Sequence, residues 1–192
     1  MEKFFKSVWF KCIAVLLVLS VVLGGTLAIL NDVLFVSPEE RTARAIKKIY
    51  GEDKEYTVVL DEENSYSCDY GVIEKVYQVG EDTLFKAIGN NGYKNGTVSL
   101  WIRIIEQDGK KVIDKVIMDG YDKQTLMSKF SSSYYDGFLT DVTDAINNGQ
   151  FFSPNTDGNG LKNPMSGATK SANAICNAVN CVIYYIAQGE LA

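Results

Sequence analysis

The chain has 192 residues, of which 46% are hydrophobic and 22% charged, with 16 glycines and only 3 prolines. This composition predicts one globular domain plus an extension, and it excludes disordered and collagen-like chains. The sequence contains no histidine, which excludes Ser-His-Asp and Cys-His catalysis and every His-containing zinc site. A net charge of -5 argues against a nucleic-acid partner, because binding to phosphates needs clustered lysine and arginine.

An uncharged apolar run extends from Cys12 to Leu30. As a helix it would match the hydrocarbon core of a bilayer, which is roughly 30 Å thick. Lysines precede the run and acidic residues follow it, which predicts a cytoplasmic N-terminus. We therefore expect a cytoplasmic segment at 1–11, a single transmembrane anchor at 12–30 and an extracytoplasmic domain at 31–192. A cleaved signal peptide is the alternative, but the run is long and lacks a small-residue cleavage site.

The exported part begins with a helix signal. Ser37 is a suitable N-cap, Pro38 suits the first helical position and Gly51 supplies a stop, so a helix is predicted at 38–50. Five strand-like patterns follow, separated by turn sequences such as Asn95-Gly96, and they predict an antiparallel meander. The predicted strands are 56–60, 72–79, 83–88, 97–105 and 112–118.

The fourth strand indicates what lies on each face of the sheet. Alternate residues from Val98 to Ile104 are apolar, and Trp101 makes the opposite face apolar as well. Both faces are therefore expected to be buried, with helices covering them. After the strands we predict a short segment at 124–130, a helix at 137–148, a polar loop at 149–164 and a terminal helix at 170–187. This order of elements predicts an α+β domain.

The terminal helix has apolar residues at three-four spacing, which predicts one buried face. Cys176 and Cys181 are expected to be small core residues that point in different directions. With Cys68 they make an odd number of cysteines after the anchor, which argues against a disulfide framework.

Small residues immediately precede the terminal helix, in the segment Met165-Ser166-Gly167-Ala168-Thr169-Lys170-Ser171. Small side chains let a bulky group approach, and the free amides and dipole of a helix start favour an anion. A phosphate would fit at this position.

The motif Ser166-Gly167-Ala168-Thr169, with the apolar helix after it, resembles the FMN-binding domain family of bacterial membrane redox complexes. The likeness is strongest to the G subunit of the Rnf electron-transport complex and weaker to the C subunit of the sodium-pumping NADH:quinone reductase. It also covers the anchor and the block from Thr83 to Met118. In that family a separate flavin transferase joins FMN to the last threonine of the motif through a phosphoester.

The resemblance implies roles for particular residues. Thr169 would carry the FMN, and the residues around its phosphate would be Ser166, Gly167, Ala168 and Lys170. The segment 124–128 corresponds to a family loop near the flavin ring, so the residues flanking the ring would be Thr125, Leu126 and Met127. Asn163 occupies a position where the family usually has an acidic residue.

The function implied is that of a membrane-anchored flavoprotein subunit, which relays electrons alongside other membrane subunits and is not a stand-alone enzyme. The protein supplies the position of the cofactor, and no catalytic side chain is expected. A flavin-free binding or assembly module is the alternative. No metal site is predicted, because the calcium-like sequence at 155–160 has Ser166 where such loops place a bidentate glutamate.

Overall fold

The structure is a computed structural model that describes residues 8–34, 36–154 and 161–189. The chain divides into two compact units, and the boundary along the sequence lies between Arg44 and Ala45. Five α-helices are described within these ranges: α1 Val8–Leu34, α2 Pro38–Tyr50, α3 Ser132–Asp136, α4 Thr143–Asn148 and α5 Thr169–Ala187.

Helix α1 contains the predicted anchor. Its residues from Val8 to Asn31 form the single helix, among the residues that the structure describes, that is long and apolar enough to cross a membrane. Its 27 residues exceed the roughly 20 that a bilayer core requires. The direction in which the helix would cross stays a prediction.

Helix α2 has the predicted bounds, and its ends show why. The Glu40 amide donates to Ser37 Oγ at 3.1 Å, which caps the first turn. At the other end the Gly51 amide donates to the Lys47 carbonyl at 2.9 Å. Gly51 has a φ of +81°, a left-handed conformation that glycine adopts without strain.

The second unit contains a six-stranded antiparallel sheet, and the predicted meander is confirmed. The order across the sheet is β1-β3-β4-β5-β6, and β2 pairs with β3 beside β1. Sequence patterns missed β2, because three residues are too few to show an alternation. The strands are β1 Thr57–Leu60, β2 Tyr66–Cys68, β3 Gly71–Val79, β4 Asp82–Gly89, β5 Val98–Gln107 and β6 Lys110–Tyr121.

The apolar residues of β5 belong to two separate buried clusters, as their alternation along the strand predicts. Val98, Leu100, Ile102 and Ile104 belong to a large buried cluster that also includes the apolar residues of α5, hereafter the main core. Trp101 belongs to a smaller cluster, hereafter the outer cluster, whose other members are Ile46, Ile49, Tyr77, Val79 and Leu84.

The helix predicted at 137–148 is confirmed only from Thr143 to Asn148, and its first half is wrong. Gly137 ends α3, and the chain from Phe138 to Val142 leaves the helical path before α4 begins. Backbone hydrogen bonds to β6 explain the break: the Ile113 amide donates to the Thr140 carbonyl, and the Val142 amide donates to the Lys111 carbonyl at 2.9 Å. Pairing with a strand edge therefore overrides local helix propensity here.

The predicted polar loop contains two short strands, β7 Phe152–Ser153 and β8 Leu161–Lys162, which pair in parallel. Its calcium-like sequence at 155–160 lies outside the described residues. Helix α5 follows the loop and begins one residue before its predicted start.

Candidate functional site

The site is built around the first turn of α5. Gly167 has a φ of +75°, so the small-residue segment turns sharply just before the helix begins at Thr169. Ala168 is buried, whereas Ser166, Gly167, Thr169 and Lys170 are exposed. The Thr169 hydroxyl donates to the Met165 carbonyl at 3.3 Å and remains accessible from solvent.

The rest of α5 holds this turn in place. Nearly all of its residues after Lys170 are buried, and its apolar side chains belong to the main core. A Cβ added to Gly89 of β4 would lie 1.9 Å from the Ala174 carbonyl oxygen, so strand and helix backbones touch here. Such contact fixes the position of the helix start relative to the sheet.

A second segment of the predicted site lies next to this helix start. Ser171 Oγ donates to the Thr125 carbonyl at 3.1 Å, which joins the first turn of α5 to segment 124–128. Thr125 and Leu126 are exposed, and Leu126 has a left-handed φ of +61°. Met127 points differently, because its side chain is buried in the main core. The structure thus brings together two segments that the sequence separates widely.

Gln124 shapes this segment. It is buried, its Oε1 accepts from the Tyr93 amide at 2.9 Å, and its Nε2 donates to the Asp122 carbonyl at 2.9 Å. A Cβ built on either Gly92 or Gly96 would lie within 2.6 Å of the Gln124 side chain and within 2.6 Å of a neighbouring backbone oxygen. The turn between β4 and β5 is therefore clamped against segment 124–128.

Lys129 is a site residue that sequence reasoning missed. A Cβ built on Gly167 would lie 3.0 Å from Lys129 Nζ, so this ammonium group lies beside the turn that precedes Thr169. Together with Lys170 it gives the helix start two cations, which suits an anionic group. No spacing in the sequence predicts this, because the proximity of Lys129 to Gly167 arises only in the folded chain.

Asn163 has a structural role. It is buried, its Nδ2 donates to the Tyr134 carbonyl at 3.1 Å, and the Tyr134 hydroxyl donates to the Asn163 carbonyl at 3.3 Å. Burial raises the pKa of Tyr134, so this hydroxyl keeps its proton. An aspartate at 163 would lack the amide donor, which explains why the asparagine suits this fold.

The described residues include no group of three or more His, Cys, Asp or Glu placed to hold a metal ion. Comparisons of the chain with family models, curated proteins and solved structures give no match.

Proposed function

We propose that this chain is a membrane-anchored flavoprotein subunit that relays electrons through FMN bound covalently to Thr169. One observation supports the proposal most: Thr169 lies exposed on the first turn of a buried helix. The turn before it brings Gly167 beside the Lys129 ammonium group, and Ser171 in the same first turn bonds to Thr125. An attached FMN would supply one- and two-electron redox chemistry.

The residues at this position suit the phosphate end of FMN. Gly167 has no side chain, which leaves room next to Lys129 Nζ. The first amides of an α-helix lack partners within the helix and can donate to an anion. Lys129 and Lys170 would balance the charge of the phosphate, while Ser166 and Ala168 shape the turn.

The exposed side chains beyond the helix start suit the ring end. Thr125 and Leu126 would flank the flavin ring and shield part of it from water. Met127 would support that surface from beneath, because it is buried in the main core. Gln124 holds the segment to the adjacent turn, so the ring would meet a fixed surface.

The remaining parts of the proposal follow the charge pattern around the apolar run, the alternation in β5 and the resemblance to the FMN-binding domain family. Helix α1 would anchor the chain with 1–11 in the cytoplasm, 12–30 in the cell membrane and 31–192 outside. Helices would cover both faces of the sheet, and the partners would be other membrane subunits of an Rnf-type redox complex. A flavin transferase would attach the FMN, and the covalent link would keep the cofactor from being lost outside the cell.

Intact-mass measurement after co-expression with a flavin transferase tests the proposal. We expect the full chain to gain the mass of one FMN less one water. Thr169→Ala should abolish this gain, because the acceptor oxygen is lost, and Thr169→Ser should retain at least part of it. Ser166→Ala is the matched control, since its hydroxyl is nearby and exposed. FMN on the Thr169→Ala protein would show that another residue is the acceptor.

Asn163→Asp separates recognition by the transferase from the choice of acceptor. If the wild type stays unmodified and Asn163→Asp acquires FMN, the site is suitable but the transferase requires an acid at 163. If neither protein acquires FMN while circular dichroism shows that both are folded, the flavin proposal fails, and a flavin-free assembly module becomes the better description.

A further inference from the structure

Two cysteines that are distant in the sequence meet in the fold. Cys68 ends β2 and Cys181 lies in α5, and their Sγ atoms are 3.1 Å apart across a sequence separation of 113 residues. The expectation that Cys176 and Cys181 are core residues is confirmed, since both are fully buried. The helical spacing of those two residues gives no indication that Cys68 approaches Cys181.

Aromatic contacts hold the two cysteine-bearing elements together. The rings of Tyr66 on β2 and Tyr185 on α5 meet edge to face, with centroids 5.0 Å apart. Just after β2, the Tyr70 ring lies 4.6 Å from Phe151 and 6.2 Å from Tyr184, measured between centroids. Contacts on both sides of Cys68 therefore keep its thiol next to Cys181.

The two thiols differ in access. Cys68 is partly exposed, whereas Cys181 is buried and its burial raises its pKa. Cys176 is also buried, and burial raises its pKa to about 12. A soluble reagent would consequently reach Cys68 first, with Cys181 as the neighbouring second thiol.

We propose that Cys68 and Cys181 form a disulfide that ties β2 to α5, made by exchange with an external disulfide such as that of a thiol oxidase or oxidised glutathione. The Cys68 thiolate attacks one sulfur of the oxidant and releases one thiol. Cys181 then loses its proton, attacks the Cys68 sulfur and releases the second thiol. Two cysteine thiols are oxidised and one external disulfide is reduced to two thiols, so electrons and protons balance.

The disulfide would persist outside the cytoplasm, so its occurrence in the cell rests on the proposed export of residues 31–192. It would close a long loop and thereby reduce the conformational entropy of the unfolded chain. The expected effect is a melting temperature about 10 °C higher for the oxidised than for the reduced protein.

Thiol labelling of the purified full chain tests the proposal. The protein is treated with oxidised glutathione, denatured and labelled with N-ethylmaleimide, with and without prior reduction. The chain has four cysteines, so we expect two labels without reduction and four after it. Peptide mapping should then recover one linked pair, which joins Cys68 to Cys181. Addition of FMN changes the mass independently of the label count, so failure of one proposal is distinguishable from failure of the other.

Two variants complete the test. Cys68→Ser should give three labels with or without reduction and no redox-dependent change in melting temperature. Cys176→Ser is the control and should still gain two labels on reduction. Four labels on the oxidised wild type, glutathione retained on Cys68, or a linked pair that includes Cys176 would each overturn the proposal.

Discussion

The main core and the outer cluster lie on opposite faces of β5 and differ in how closely their elements approach. In the main core, β4 and α5 touch through backbone, since a Cβ on Gly89 would lie 1.9 Å from the Ala174 oxygen and 2.4 Å from the Ala178 nitrogen. The outer cluster is formed by larger side chains, such as Ile46 and Trp101. The backbone contact positions the helix that carries Thr169, and we expect the outer cluster to adjust more easily to substitutions.

The outer cluster also differs from the main core in the polar contacts beside it. Beside the outer cluster, Arg103 pairs with Asp82 at 2.9 Å and with Asp114 at 3.1 Å, and its guanidinium carbon lies 4.5 Å from the centre of the Tyr50 ring. Burial, and then the nearby charge of Asp82, raises the pKa of Tyr50 to about 12. The ring therefore stays uncharged beneath Arg103, and part of the stability of this face is electrostatic.

The largest loss of stability should come from adding a side chain at the backbone contact between β4 and α5. Gly89→Ala places a methyl group against backbone atoms that cannot move aside, so we expect the free energy of unfolding to fall by about 3 kcal/mol or more. Chemical denaturation followed by circular dichroism measures this. In Gly120→Ala the added Cβ meets nothing within 4 Å, and we expect no loss beyond about 0.5 kcal/mol. Equal stability of the two variants would refute the close approach of β4 and α5.

An intermediate effect is expected from truncating one buried isoleucine on each side. Ile183 in the main core and Ile46 in the outer cluster are 0% and 1% exposed, so the two alanine substitutions remove similar apolar area. We expect Ile183→Ala to cost about 3 kcal/mol and Ile46→Ala about 2 kcal/mol, because the cost of a truncation depends on how far the surroundings can collapse. Denaturation midpoints of the two variants provide the comparison. A larger loss for Ile46→Ala would reverse our ranking of the two clusters.

The smallest loss of stability should come from weakening the ion pairs of Arg103. Arg103→Lys keeps the charge but loses the forked geometry that reaches Asp82 and Asp114, so we expect a loss of about 1 kcal/mol that shrinks in high salt. The control is Arg44→Lys, whose pair with Glu40 is mostly exposed and should contribute little. Melting temperatures at low and high salt distinguish the two variants. A salt-independent loss for Arg103→Lys would attribute its role to packing over Tyr50.

Local patterns in the sequence predicted much of this molecule. The caps at Ser37 and Gly51 fix the ends of α2, and the alternation along β5 predicts which residues enter the main core, because both signals act over a few neighbouring residues. The apolar run in α1 and the three-four spacing in α5 are equally local. The motif that ends at Thr169 could likewise be placed at the start of a helix.

Only the tertiary structure decided which distant segments of the chain contact one another. Backbone pairing with β6 broke the helix predicted at 137–148, and the fold brought Lys129 beside Gly167, Thr125 beside Ser171 and Cys68 beside Cys181. None of these pairs has a sequence spacing that could reveal it, because a contact between distant segments depends on how the whole sheet and helix pack. The sequence by itself determined most of the elements and the motif, and long-range packing determined the surroundings of that motif.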